Sequence, residues 1–239
     1  MNRHLSLIES DFEQLEKKTL PRFPFCYLTF KEENGEGHVF EVKDISYSGM
    51  QLGLKSGNHK FSKDDHISGN LQWIDRNISI LGNVKWTTDN RLGVEFSSKQ
   101  SARDEIDSFL EVSSITKLLK PLHKMDHGID TPSNLKCWLR ADGPFEVFTW
   151  QHNDGEFSRF QILMMENFVE WEDGKGLKTA RVMSKRDIDT PLMTEDEIVF
   201  KIDPGLDSDK LSMAKNLLTG LSQEQLSENT RDFMLLKLG

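Results

Sequence analysis

The stretch Asp44-Ile45-Ser46-Tyr47-Ser48-Gly49-Met50-Gln51-Leu52 is a polar knuckle set between two runs of alternating hydrophobicity. His38-Val39-Phe40-Glu41-Val42 ahead of it reads as a strand, and Met50, Leu52 and Leu54 behind it recur at period two. An Asp, a Ser two residues on and a Gly three further on form a spacing with physical content. The short oxygen-bearing side chains accept and donate hydrogen bonds within the knuckle or to a ligand. The Gly permits a positive φ or the close approach of another group to the backbone. Taken alone, the pattern also fits an ordinary hairpin connection.

Outward from the knuckle, six strand candidates occupy about residues 25–31, 38–44, 50–55, 66–75, 78–87 and 91–97. Asn34-Gly35-Glu36-Gly37, Ser56-Gly57-Asn58, Asp75-Arg76-Asn77 and Asp89-Asn90 separate them. Connections this short force antiparallel neighbours, and six such strands bury best as a small closed barrel or sandwich. Ser101-Ala102-Arg103-Asp104 then opens one long helix with apolar positions at Ile106, Phe109, Leu110, Ile115, Leu118 and Leu119. Ahead of the strands, Asp11–Lys17 is predicted helical, with Ser10 as N-cap and Glu13 closing a capping box. Pro21 and Pro24 stop that helix and leave Lys17-Lys18-Thr19-Leu20-Pro21-Arg22 as a basic loop. A loop can close over a ligand and couple occupancy to shape.

Two basic positions four apart (Lys18 and Arg22), then Asp44-x-Ser46-x-x-Gly49, then Ile78–Trp86, Leu92–Phe96 and a helix, form an ordered set. Over about residues 15–112 this set resembles the PilZ domain family, a non-enzymatic family that typically binds the bacterial second messenger cyclic di-GMP. The family pattern is Arg-x-x-x-Arg in a loop followed by Asp/Asn-x-Ser-x-x-Gly at a strand junction. The second element matches in full; in the first, Lys18 stands in place of an arginine. The resemblance implies a six-stranded antiparallel β-barrel with a flanking helix. It also implies a ligand-binding set of Lys17, Lys18, Arg22, Asp44, Ser46 and Gly49. Arg22 would present a planar fork to guanine O6 and N7 or to a phosphate, and stack on a base. Asp44 would accept from the guanine N1–H and N2 amino groups, while Ser46 and Gly49 shape the pocket floor. Lys18, with Lys17 assisting, keeps the charge but lacks the fork, so binding is expected to be weaker by ~1–2 kcal/mol than with two arginines. The alternative for Lys18 and Arg22 is a pair of solvated loop charges.

A chain of 239 residues is long enough for two cores. The expected division is a barrel domain over 1–120, a linker over 121–133 and an α+β domain over 134–239. The whole reads as mainly β with α. In the second unit, strands are expected at Leu135–Ala141, Pro144–Gln151, Glu156–Met165, Asn167–Glu172, Leu177–Met183 and Glu197–Ile202. Helices follow near Asp207–Leu218 and Gln223–Leu236, with Ser222 and Gln225 as a capping box. This order, strands first and helices after, is α+β organisation. Its many aromatics, among them Trp138, Phe148, Trp150, Phe168 and Trp171, read as core rather than as an exposed docking patch. His123 and His127, four apart with Asp126 and Asp130 nearby, hint at a metal site, but Pro121 and Gly128 argue against a helix to align them. No cofactor or metal is expected.

Residues 1–120 hold 16 Lys+Arg against 18 Asp+Glu, and residues 121–239 hold 14 against 21. Neither half has the concentrated basic surface of a DNA or RNA binder. No apolar run approaches the roughly 18 residues of a membrane span, and the N-terminus lacks a signal-peptide core. Cys26 and Cys137 sit far apart in strand-like segments and read as buried thiols of a cytoplasmic protein. Gly-x-Ser-x-Gly, Walker-type and His-Glu-x-x-His patterns are absent, so no enzyme is expected. Two functions follow: a cyclic di-GMP receptor that passes occupancy to a protein partner, or a nucleotide-independent adaptor working through protein contacts. A homodimer is compatible with either.

Overall fold

The computed structural model describes residues 15–19, 28–33, 36–126, 131–142, 145–183 and 197–239. Six strands close into an antiparallel barrel: β2 (Leu28–Glu32), β3 (Val39–Ile45), β4 (Gly49–Gly53), β5 (His66–Trp73), β6 (Arg76–Thr87) and β7 (Arg91–Phe96), in the order β2-β3-β4-β7-β6-β5. Period-two alternation works here as the sequence implies: Phe30, Phe40, Val42, Leu52, Leu71, Val84 and Leu92 point inward and are buried. Glycine serves close approach at two positions. A side chain on Gly69 would collide with the Lys31 backbone carbonyl, and one on Gly93 with the Trp86 indole.

After the barrel come α1 (Gln100–Phe109) and α2 (Val112–Leu118), two helices where one was expected. Ile106 and Ile115 are nine residues apart, which places them about 180° apart around a straight helix. Both are buried. A corner at Leu110-Glu111 re-aims the second apolar set toward the core that the first already faces. Arg76 holds the end of α1, its Nη1 and Nη2 donating to the Phe109 and Ser108 carbonyls at 3.0 Å each.

The expected linker begins as structure. Lys120–Pro121 forms the short strand β8, and Leu122–Lys124 forms a 3-10 turn against the next strand. His123 Nδ1 accepts from the Trp138 N–H at 3.2 Å. His127 and Asp130 lie outside the described residues, and among the described residues no cluster of His, Cys, Asp or Glu could hold a metal ion.

The second unit is built on β9 (Leu135–Ala141), β10 (Phe145–Gln151), β11 (Phe157–Met164), β12 (Asn167–Glu172), β13 (Gly176–Met183) and β14 (Glu197–Ile202). Its helices are α3 (Ser208–Gly220) and α4 (Glu228–Leu238). The last helix starts five residues later than expected. Ser222 and Gln225 do exchange capping-box bonds, but around a single turn, and Ser227 caps α4. Gln225 Nε2 meanwhile donates to the Thr116 and Leu119 carbonyls at 2.8 and 2.7 Å, closing the end of α2.

The sequence gives least warning of β1. Leu15–Thr19 is a strand, not the end of a helix or a loop, and it pairs antiparallel with β14, Lys17 opposite Val199 and Lys18 opposite Ile198. The helical spacing rested on Ile8 and Phe12, which lie outside the described residues; the ladder with β14 satisfies the backbone of residues 15–19 instead. The second sheet therefore has eight strands, in the order β1-β14-β13-β12-β11-β10-β9-β8.

One face of that sheet joins the barrel, α1–α2 and α3–α4 in a continuous hydrophobic core. Trp73 of the barrel sits 5.8 Å from the Phe109 ring and 6.2 Å from the Phe145 ring, linking all three layers. The opposite face carries Trp138, Phe148 and Trp150 in one cluster and Phe168 and Phe200 in another. Ile198 packs against both clusters, so the sheet curls until its β14 side meets its β9–β10 side. The aromatics named from sequence are core residues.

Candidate functional site

The knuckle is the β3–β4 turn on the barrel. A bulge between Val42 and Asp44 shifts the register and bends the strand as it enters the turn. The Ser46 N–H donates to the Gly49 carbonyl at 2.8 Å, and the Ser48 N–H to Ser46 Oγ at 3.3 Å. The Ser46 and Ser48 hydroxyl oxygens stand 3.1 Å apart. Ser46 Oγ also donates to the Gly49 carbonyl at 3.4 Å, so its hydroxyl is spent within the turn and holds the knuckle in shape.

Gly49 is required by packing rather than by an unusual φ. A side chain here would overlap the Val94 backbone carbonyl across the β4–β7 ladder, where Gly49 faces Glu95. Of the two roles the sequence leaves open for this glycine, close approach is the one the barrel uses.

Asp44 is exposed on its strand. Burial nevertheless raises its carboxyl from 3.8 to about 6, against the lowering effect of a backbone hydrogen bond at Ile45 and with Glu166 adding repulsion. Glu166 belongs to the β11–β12 turn of the second sheet, where Met165 takes a left-handed φ of 55°. Arg181 clasps it, with Nη2 at 2.8 Å from Glu166 Oε2. No sequence signal ties Glu166 to Asp44.

The basic half of the expected site lies elsewhere in the topology. Lys17 and Lys18 are strand residues of the second sheet, while Asp44, Ser46 and Gly49 belong to the barrel. Arg22 lies outside the described residues. Next to Lys17, Glu16 is ion-paired with Lys178, whose Nζ also lies 2.6 Å from Oε2 of the fully buried Glu170. Gln161 Nε2 donates to the other oxygen of Glu170 at 2.5 Å. This chain of charges fixes β1 to the sheet.

Tyr47, which the motif leaves unspecified, opens on a cleft of about 850 Å³ between the knuckle, the α1–α2 corner and α3. Asp107, Glu111, Ser113, Lys117 and Asn216 also line it. Burial and the neighbouring Asp107 both raise the Tyr47 hydroxyl above its usual value. Cys137 is buried on β9 and its thiol is pushed up to about 12, which makes it inert; Cys26 lies outside the described residues. Among the described residues, no helix is long and apolar enough to cross a membrane.

No curated protein and no solved structure matches the chain. The family model for the PilZ domain matches under half of it, from within β1 to the corner between α1 and α2. Barrel, knuckle and family model coincide: residues 17–111 of this chain are a PilZ domain.

Proposed function

We propose that this protein is a non-enzymatic receptor for cyclic di-GMP that passes occupancy to a protein partner. The observation that carries the reading is the Asp44-x-Ser46-x-x-Gly49 knuckle, formed on a closed barrel with Asp44 and Tyr47 exposed residues. An exposed carboxylate beside a hydroxyl suits the donor-rich edge of guanine. Arg22, with Lys18 and Lys17, supplies positive charge for the phosphates. Because Lys17 and Lys18 lie on β1, a ligand gripped by both halves spans the barrel and the second sheet, and its arrival acts on the β1–β14 ladder.

Calorimetric titration with cyclic di-GMP tests this on the wild type, Arg22→Ala and Asp44→Ala. Micromolar or tighter binding that both variants lose is the expected result. No heat and no thermal shift at saturating ligand would point to a nucleotide-independent adaptor. Lys18 in place of an arginine is the observation that favours that second reading. Scattering profiles that superimpose with and without ligand would remove large rearrangement from the account.

A further inference from the structure

We propose that the cleft beside Tyr47 is a guanine subsite, and that the second unit supplies part of it. This rests on the receptor reading above and adds a place and a set of contacts to it. Tyr47 sits between Ser46 and Gly49 in the knuckle, so the cleft opens beside the turn that carries the motif. Tyr47 is 42% exposed, unusually open for a large aromatic on a well-packed barrel. An exposed aromatic at the mouth of a cleft is a stacking platform for a base.

The polar groups around it fit guanine. Asp107 at the end of α1 and Glu111 at the corner are carboxylates able to accept from N1–H and the N2 amino group. Asn216 on α3 and Lys117 on α2 can donate to O6 and N7, and Ser113 can do either. Apart from the electrostatic proximity of Tyr47 and Asp107, none of these six side chains pairs with another described residue, so their capacity is uncommitted. The cleft, about 850 Å³, is ample for a nucleotide. Two carboxylates against one ammonium disfavour a phosphate inside it, which leaves the phosphates outside the cleft. Asn216 lies on α3, which packs closely on α2 where Gly220 meets the Thr116 methyl group. A base held here therefore touches the barrel, the corner and the second unit at once.

The test is calorimetry with cyclic di-GMP on the full chain, comparing wild type, Tyr47→Leu, Ser113→Trp to fill the cleft, and Asp44→Ala. Tyr47→Leu is expected to weaken binding about tenfold or more, as loss of a stacking partner does, and Ser113→Trp to abolish it. Thermal unfolding of both variants should match wild type, since both positions are exposed. If wild type binds and Asp44→Ala does not, while Tyr47→Leu and Ser113→Trp bind like wild type, the subsite is wrong and the receptor reading stands. If wild type does not bind, both fall. If chemical shifts at Tyr47 and Asn216 move with an arginine peptide but not with guanosine monophosphate, the cleft takes a basic partner and the proposal is overturned.

Discussion

A carboxyl raised to about 6 holds its proton more tightly in the folded chain than in the unfolded one, where Asp44 has its ordinary value of 3.8. Between those two values the folded state carries more protons, so stability falls as pH rises through the window and stays at the lower level above it. Asp44→Asn is therefore expected to melt higher than wild type at pH 7.5, with the gap closing below pH 4; thermal unfolding at both pH values checks this. The same group makes the affinity for cyclic di-GMP fall as pH drops below about 6, since a protonated carboxyl loses acceptor capacity. Lys18→Arg is predicted to tighten binding about tenfold by restoring a bidentate fork, read by titration calorimetry. The turn carrying Asp44, Ser46 and Gly49 was legible because its spacing is local. The nearness of Glu166 to Asp44 and of Asn216 to Tyr47 was not, because proximity between elements far apart in the chain leaves no mark on the sequence around either residue.

Strands separated by Gly- and Asn-rich breakers were legible for the same local reason, and all six barrel strands fall where alternation places them. The α1–α2 corner was hidden because Leu110-Glu111 contains neither Gly nor Pro; only the incompatible angular positions of Ile106 and Ile115 betray it. Strand β1 was hidden because its partner lies about 180 residues away, and Leu15-Glu16-Lys17-Lys18-Thr19 has no strand pattern of its own. Its attachment is testable through the charge chain. Lys178→Met removes the ammonium from the buried Glu170 and is expected to cost about 3–5 kcal/mol in denaturant unfolding. Glu16→Gln leaves the Lys178–Glu170 pair intact, so its effect should be confined to faster amide hydrogen exchange along β14. Equal losses from the two variants would show that the chain acts as a general brace, not as a fastening for β1.

Periodicity tells which face of an element is buried but not against what, so the fusion of barrel and second sheet into one core could not be read in advance. That fusion predicts one cooperative transition for the full chain, with tryptophan fluorescence and far-UV circular dichroism superimposing. Two resolved transitions would contradict it. The pairing of β1 with β14 has a further consequence for how the molecule is made. A ribosome releases residue 15 long before residue 197, so the first strand must wait, unmatched, while the barrel and most of the second sheet emerge. Closing so wide a loop is entropically slow, and the clasp between β1 and β14 is expected to be the last piece of the architecture to lock.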